Sequence, residues 1–174
     1  MTDADRFEAF VREYQDMVFA TAVRLLANPA EAEDIAQTVF LRAFERFSSI
    51  STSATAGGWL KTVTTNLCLN HLARYRARWQ FFSELDRPED DERYEARVPA
   101  PAATDALERT LRQEALERAV QALPDHQRIP LVLFHFEDMS YKEIAAALGI
   151  SVAKVKTDIH RSREALKRAI AGLV

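Results

Sequence analysis

The stretch from Asp138 to Arg168, DMSYKEIAAALGISVAKVKTDIHRSREALKR, constrains the fold more than any other. It predicts two short helices packed across a tight corner. Ser140 is an N-cap, and Glu143 three residues on completes a capping box. Tyr141 to Leu148 then turns Ile144, Ala145 and Leu148 inward. Gly149 supplies the C-cap, because glycine enters the left-handed region without steric cost. Ile150 fills the corner, and Ser151 caps a second helix running to about Ile170. The inward stripe of that helix is Val152, Val155, Ile159, Leu166 and Ile170, at helical spacing. At about 100° per residue, Thr157, His160, Arg161, Glu164 and Arg168 lie opposite it, flanked by Lys154 and Lys156. Beyond Val152 the bases are Lys154, Lys156, Arg161, Arg163, Lys167 and Arg168, against only Asp158 and Glu164. A basic second helix behind a glycine corner suits the DNA major groove. The bland alternative is a surface helical hairpin with a solvated charged face.

The rest of the chain is read as helical too. It has 4 glycines and 6 prolines in 174 residues, too few for a turn-rich all-β fold. Its 48% hydrophobic content is enough for a core in one or two domains. A single cysteine, Cys68, excludes an internal disulfide and fits a reducing compartment. No signal-like opening or long apolar run is present, so a cytoplasmic protein without membrane insertion is expected. The formal net charge of −3 argues against nucleic acid as a partner, but charge here is sorted into basic and acidic stretches that an average hides.

The first helix, Asp3 to Ala27, carries Phe7, Phe10, Val11, Tyr14, Val18, Ala22 and Leu25 at spacings of three and four. Asn28-Pro29 breaks it, and a second helix runs to about Phe47 with Glu31 closing a capping box. Its core side is Ala32, Ile35, Ala36, Val39, Phe40, Ala43 and Phe47; its outer side is Asp34, Gln37, Leu41 and Glu45, with Leu41 the odd apolar member. Ser48 to Ala56 reads as a polar loop. A third helix from about Trp59 to Phe81 faces inward with Leu60, Val63, Leu67, His71 and Tyr75. Asn66 and Asn70 share its outer face with Thr62 and Ala73. Lys61, Arg74, Arg76 and Arg78 are its only charges between Lys61 and Gln80, with Tyr75 and Trp79 interleaved. Basic groups neutralise phosphates and aromatics stack on unpaired bases, although a basic helix end is also favoured by the helix dipole.

Glu84 to Pro101, ELDRPEDDERYEARVPAP, is acidic, contains proline and lacks a helical stripe, so residues 84–103 are expected to be a flexible linker. Thr104 caps a further helix carrying Leu107, Leu111, Ala115, Leu116, Ala119, Val120 and Leu123. Asp125 caps the next, an apolar helix from Ile129 to Phe136 that Pro130 should bend. The expected fold is all-α: a three-to-four-helix module over residues 1–83, and a helix-turn-helix module over 104–174.

On these motifs the sequence resembles the extracytoplasmic-function sigma factors of bacterial RNA polymerase. In the first module the resemblance rests on Ala32 to Phe40 (AEDIAQTVF), Trp59-Leu60, Asn66-Leu67 and His71 to Arg74. In the second it rests on Leu123-Pro124, Ser140 to Ala145 (SYKEIA), Leu148-Gly149-Ile150, Val155-Lys156 and His160 to Arg163. It implies a promoter-specificity subunit without catalysis, cofactor, metal or small-molecule substrate of its own. Asp34, Gln37, Leu41 and Glu45 would dock on the polymerase. Ser51, Thr52 and Ser53, with Lys61, Asn66 and Asn70, would meet the minus-ten element and hold a flipped base, since an asparagine amide both donates and accepts. Arg74, Arg76 and Arg78 would follow phosphates. Lys154, Lys156, Thr157, His160, Arg161 and Arg163 would read the minus-thirty-five element. The implied partners are core RNA polymerase, promoter DNA and an anti-sigma factor.

This chain departs from the family pattern in places. Ala153-Lys154 stands where Gly-Thr is frequent. Asp158 stands where arginine is usual, on the shoulder of the helix and one turn from Lys154, with which it can pair. The Ser51 to Ala56 stretch has neither acid nor aromatic, which leaves its base preference open. A rival is a stand-alone dimeric regulator of duplex DNA. The first module counts against it, offering neither a ligand pocket nor a coiled-coil seam. A helical carboxylate enzyme is disfavoured because His71, His126, His135 and His160 form no Glu-x-x-His pair.

Overall fold

The computed structural model describes residues 1–75 and 106–171, the side chains of 74 and 75 excepted. The stretch 76–105, which holds the expected linker, the Thr104 cap and the end of the third helix, lies outside the described residues. Every regular element among the described residues is helical, as the hydrophobic periodicity predicts. The chain divides into two compact units, Met1–Arg74 and Tyr75–Val174.

In the first unit α1 spans Asp3–Leu26, α2 Pro29–Glu45, α3 the single turn Phe47–Ile50, and α4 Ala56–His71, followed by a 3-10 turn over Leu72–Tyr75. Thr2 opens α1 with a capping box to Asp5. Ala27 closes it in the left-handed region, at φ 52°, which lets Asn28 cap the next helix at once through the amides of Ala30 and Glu31. Pro29 costs nothing there, since its missing N–H would have had no helical partner. Helices α1, α2 and α4 pack around Phe10, Val18, Val39, Ala43 and Leu60. Gly57 lets α4 approach this core closely: a Cβ there would lie 3.3 Å from the Tyr14 ring.

Two boundaries differ from the sequence reading. Helix α4 begins at Ala56, three residues before Trp59, and the polar stretch after α2 is not all loop, because Phe47–Ile50 closes a helical turn that buries Ile50. One buried isoleucine is enough to fold a short stretch that reads as polar.

In the second unit α5 spans Ala106–Ala122, α6 Asp125–His135, α7 Tyr141–Leu148 and α8 Val152–Ala171. Helix α6 starts at Asp125, four residues earlier than Ile129, and Pro124 rather than Asp125 is its N-cap residue. The Asp125 carboxylate instead accepts from buried Arg128, 2.5 Å away, whose guanidinium also donates to the Leu123 carbonyl at 2.8 Å. Pro130 sits inside α6 and is itself buried. The corner between α7 and α8 forms as the sequence dictates. Ser140 and Glu143 make the capping box, and Gly149 is left-handed at φ 68°. Ile144, Leu148, Val155 and Ile159 are buried beneath it, as are Ile129, Val132 and Leu133 of α6, the helix that packs against α7 and α8.

Candidate nucleic-acid interface

Helix α4 positions one row of outward groups. Its buried side is Leu60, Thr64, Thr65, Cys68 and Leu69, so Gly58, Thr62, Asn66 and Asn70, four residues apart, lie together on the exposed side. The Thr62 hydroxyl donates to the Gly58 carbonyl at 3.0 Å and is partly committed to its own helix. Asn66 and Asn70 are exposed, with amides able to donate and accept. Lys61 and Ser51 are half-buried, while Thr52 and Ser53 are exposed in the turn before α4. That turn is held by Ser53 Oγ, 2.8 Å from Thr55 Oγ1, and by the Ser53 amide donating to the Ile50 carbonyl. Trp59 is packed against the core and not set out as a stacking platform. Arg74 falls in the 3-10 turn; Arg76 and Arg78 lie outside the described residues.

The outer face of α2 carries Asp34, Gln37, Leu41 and Glu45, all exposed. Leu41 is 67% exposed, and it has company that the sequence reading missed: Phe44 at 62% and Phe19 of α1 at 39%. These three, with Phe7 and Phe40, line an open groove between α1 and α2, edged by Asp16, Glu33 and Gln37. Phe7 meets Phe44 edge-on at 5.1 Å. The available signal was Phe44 three residues after Leu41, two large apolar groups at helical spacing on a polar face.

On α8 the outward groups are Lys156, exposed, with Thr157, His160 and Arg161, half-buried. Thr157 donates its hydroxyl to the Ala153 carbonyl at 3.0 Å. The structure corrects two sequence assignments here. Lys154 does not face outward with these groups. It is buried, with Nζ 2.8 Å from Asp158 Oδ1 and both side chains almost wholly out of solvent. Arg163 is buried as well, donating from Nε and Nη2 to His135 Nε2 at 3.2 and 3.0 Å, with its guanidinium over the Phe134 ring. The reason is where α8 touches its neighbours. Its buried sector runs through Lys154, Val155, Asp158, Ile159, Ser162 and Arg163, while Ile170, expected inside, is 38% exposed. Asp158 is therefore no free, solvated carboxylate.

His71 is not fully interior. Its Nε2 lies 3.3 Å from Glu31 Oε1 at the start of α2. Among the described residues no group of His, Cys, Asp or Glu is placed to hold a metal ion, and no helix is long and apolar enough to cross a membrane.

Comparison with known proteins places this geometry in context. Residues 10–78 match the family model for sigma-70 region 2, and residues 113–166 match that for sigma-70 region 4. The ECF RNA polymerase sigma factor SigW of Bacillus subtilis is 31% identical over 172 residues, spanning 98% of this chain and 92% of that protein. The ECF RNA polymerase sigma factor SigE of Mycolicibacterium smegmatis is 35% identical over 166 residues, 95% of this chain and 62% of that longer protein. A solved structure, the sigma factor RpoE in complex with the anti-sigma factor NepR from Bartonella quintana, is 21% identical, with 95% of this chain and 96% of that one covered and a TM-score of 0.49.

Proposed function

The chain belongs to the extracytoplasmic-function sigma factors, the promoter-specificity subunits of RNA polymerase, and on that premise we propose how its exposed faces divide the work. Such a subunit binds core polymerase, recognises promoter DNA at two elements and helps open the duplex. The polar row Thr62, Asn66 and Asn70, with Ser51, Thr52, Ser53 and Lys61, takes the minus-ten element and captures an unpaired base. Arg74, Arg76 and Arg78 follow the backbone there. Lys156, Thr157, His160 and Arg161 enter the major groove at the minus-thirty-five element. Lys154 and Arg163 are not among the groove contacts.

The acidic and apolar face Asp34, Gln37, Leu41 and Glu45, extended by Phe44 and Phe19, docks on the polymerase. A negative face repels DNA and suits a basic protein partner, so the two kinds of surface are not interchangeable. The observation that carries this reading is an exposed amide row on α4 and an outward basic face on α8, exposed at Lys156 and half-buried at His160 and Arg161, each in its own compact unit. Residues 1–83 and 104–174 serve as the two recognition modules, with 84–103 as the tether.

The subunit acts without catalysis or cofactor of its own, in the cytoplasm. It lowers the cost of opening DNA by binding the unpaired strand, and the polymerase does the chemistry. An anti-sigma partner would silence it by covering the apolar groove of α1 and α2, which polymerase needs. The test is a sizing column run with core polymerase stripped of sigma. Co-elution supports the docking face, and its loss in a Leu41→Glu, Phe44→Glu double variant assigns that face. Retained co-elution of the variant would move docking elsewhere.

A further inference from the structure

Lys156 is exposed, yet it is not loose. Its ammonium stands over the Tyr141 ring, 5.8 Å from the centroid. Tyr141 in turn stacks on Phe134, with ring centroids 4.7 Å apart and planes within 11°. The other ring of this pair carries Arg163, whose guanidinium lies 5.7 Å from the Phe134 centroid and is tied to His135 Nε2. One helix, α8, thus sets two cations seven residues apart on two stacked rings supplied by α6 and α7. Two helical turns separate the two residues by about 10 Å along the axis, enough for their side chains to reach different rings of the pair.

We propose that Tyr141 is a positioning residue for promoter recognition: its ring holds Lys156 in the pose from which the ammonium meets a phosphate of the upstream element. The inference rests on the reading of α8 as the upstream-element helix. Three features support it. The position of Tyr141 is itself fixed, because it is the first residue of α7 behind the Ser140–Glu143 capping box. Phe134, on which it stacks, is wedged by Arg163 and meets His135 edge-on at 5.0 Å, so the platform has support from below. The quadrupole of an aromatic ring attracts an ammonium without consuming its hydrogen-bond donors, which stay open to an anion. A lysine is a long, flexible chain, and one already held over a ring loses less freedom when it meets DNA. Arg163 is thereby explained too. Its charge serves the platform and not the groove.

The test uses the holoenzyme, reconstituted with core polymerase, and a promoter duplex that ends upstream of the minus-ten element. Tyr141→Leu should weaken binding about threefold, the range of a partly exposed cation–π contact. Tyr141→Phe, which keeps the π face, should bind like the parent. Pentafluorophenylalanine at position 141 keeps the ring shape but reverses its quadrupole, and should bind as weakly as Tyr141→Leu. A purely structural ring would not register that change. Lys156→Ala should weaken binding more, and adding Tyr141→Leu to it should cost nothing further. Parent-like binding by the pentafluorinated protein, or independent losses in the double variant, would overturn the proposal while leaving the groove reading intact. Parent-like binding by Lys156→Ala would overturn the groove reading itself, and the proposal with it.

Discussion

Lys154 and Asp158 form a buried ion pair one turn apart on α8, with Nζ 2.8 Å from Oδ1 and side chains 6% and 2% exposed. The pair lies in a crevice with His126, Pro130, Leu148 and Ile150, under the corner of the helix-turn-helix. Removing one member strands a charge away from water, a loss of about 3–5 kcal/mol. Asp158→Asn should therefore lower the unfolding midpoint of the second unit sharply, read by urea titration. A Lys154→Met, Asp158→Leu double variant should recover most of the loss, because a buried pair replaced by apolar groups is often neutral.

The same geometry separates two classes of basic residue on α8. Lys156→Ala and Arg161→Ala should cost no more than about 1 kcal/mol of thermal stability, since neither side chain is buried. They should weaken upstream-element binding and lower the salt slope by about one for each phosphate no longer neutralised. Arg163→Ala should do the opposite, destabilising the unit through Phe134 and His135 before it affects the salt slope. Filter binding across a salt series, with a parallel thermal melt, distinguishes them.

These contrasts mark where sequence reasoning reaches its limit. Ser140, Glu143 and Gly149 were legible because a cap is a local event: the residues that form it lie within one turn of each other. The stripes of α1 and α2 are legible for the same reason; that of α4 is legible only in part, because its buried side runs through Thr64, Thr65, Cys68 and Leu69 beside Leu60, while Val63 and Leu67 are half-buried. The interior placement of Lys154 and Arg163 is not legible, because it depends on which sector of α8 meets α6 and α7. A charge in a sequence reads as solvated until its partner is known. Spacing alone pairs Asp158 with Lys154, but as a shoulder contact in water, worth only about 0.3 kcal/mol. Phe19 and Phe44 were missed because a groove between two helices is not a property of either one.

Asn66→Ala removes an amide from an exposed face and should leave the fold and duplex binding unchanged. Open-complex formation should fall about fivefold, the value of roughly one hydrogen bond of 1 kcal/mol. Permanganate reactivity of promoter thymines reports it directly. Unchanged reactivity in an Asn66→Ala, Asn70→Ala double variant would remove base capture from α4.

Leu41 and Phe44 are large apolar groups left in water on α2, so their burial on a partner should stabilise the complex by about 1.5–3 kcal/mol each. Leu41→Glu, Phe44→Glu should abolish polymerase binding while lowering the melting temperature of the free subunit only slightly, through the lost edge contact of Phe44 with Phe7. Calorimetric titration against core polymerase, with a melt of the free subunit, reads both.

This chain directs polymerase to promoters, and α4 and α8 are each proposed to carry one promoter-recognising face. Run-off transcription from genomic fragments, with core polymerase and the purified subunit, tests it most directly. Transcripts should appear only when both are present, from start sites that share an upstream and a downstream element. Lys156→Ala should relax dependence on the first, and Asn66→Ala on the second. Transcription indifferent to the added subunit, or tight symmetric binding of duplex DNA without polymerase, would contradict this reading.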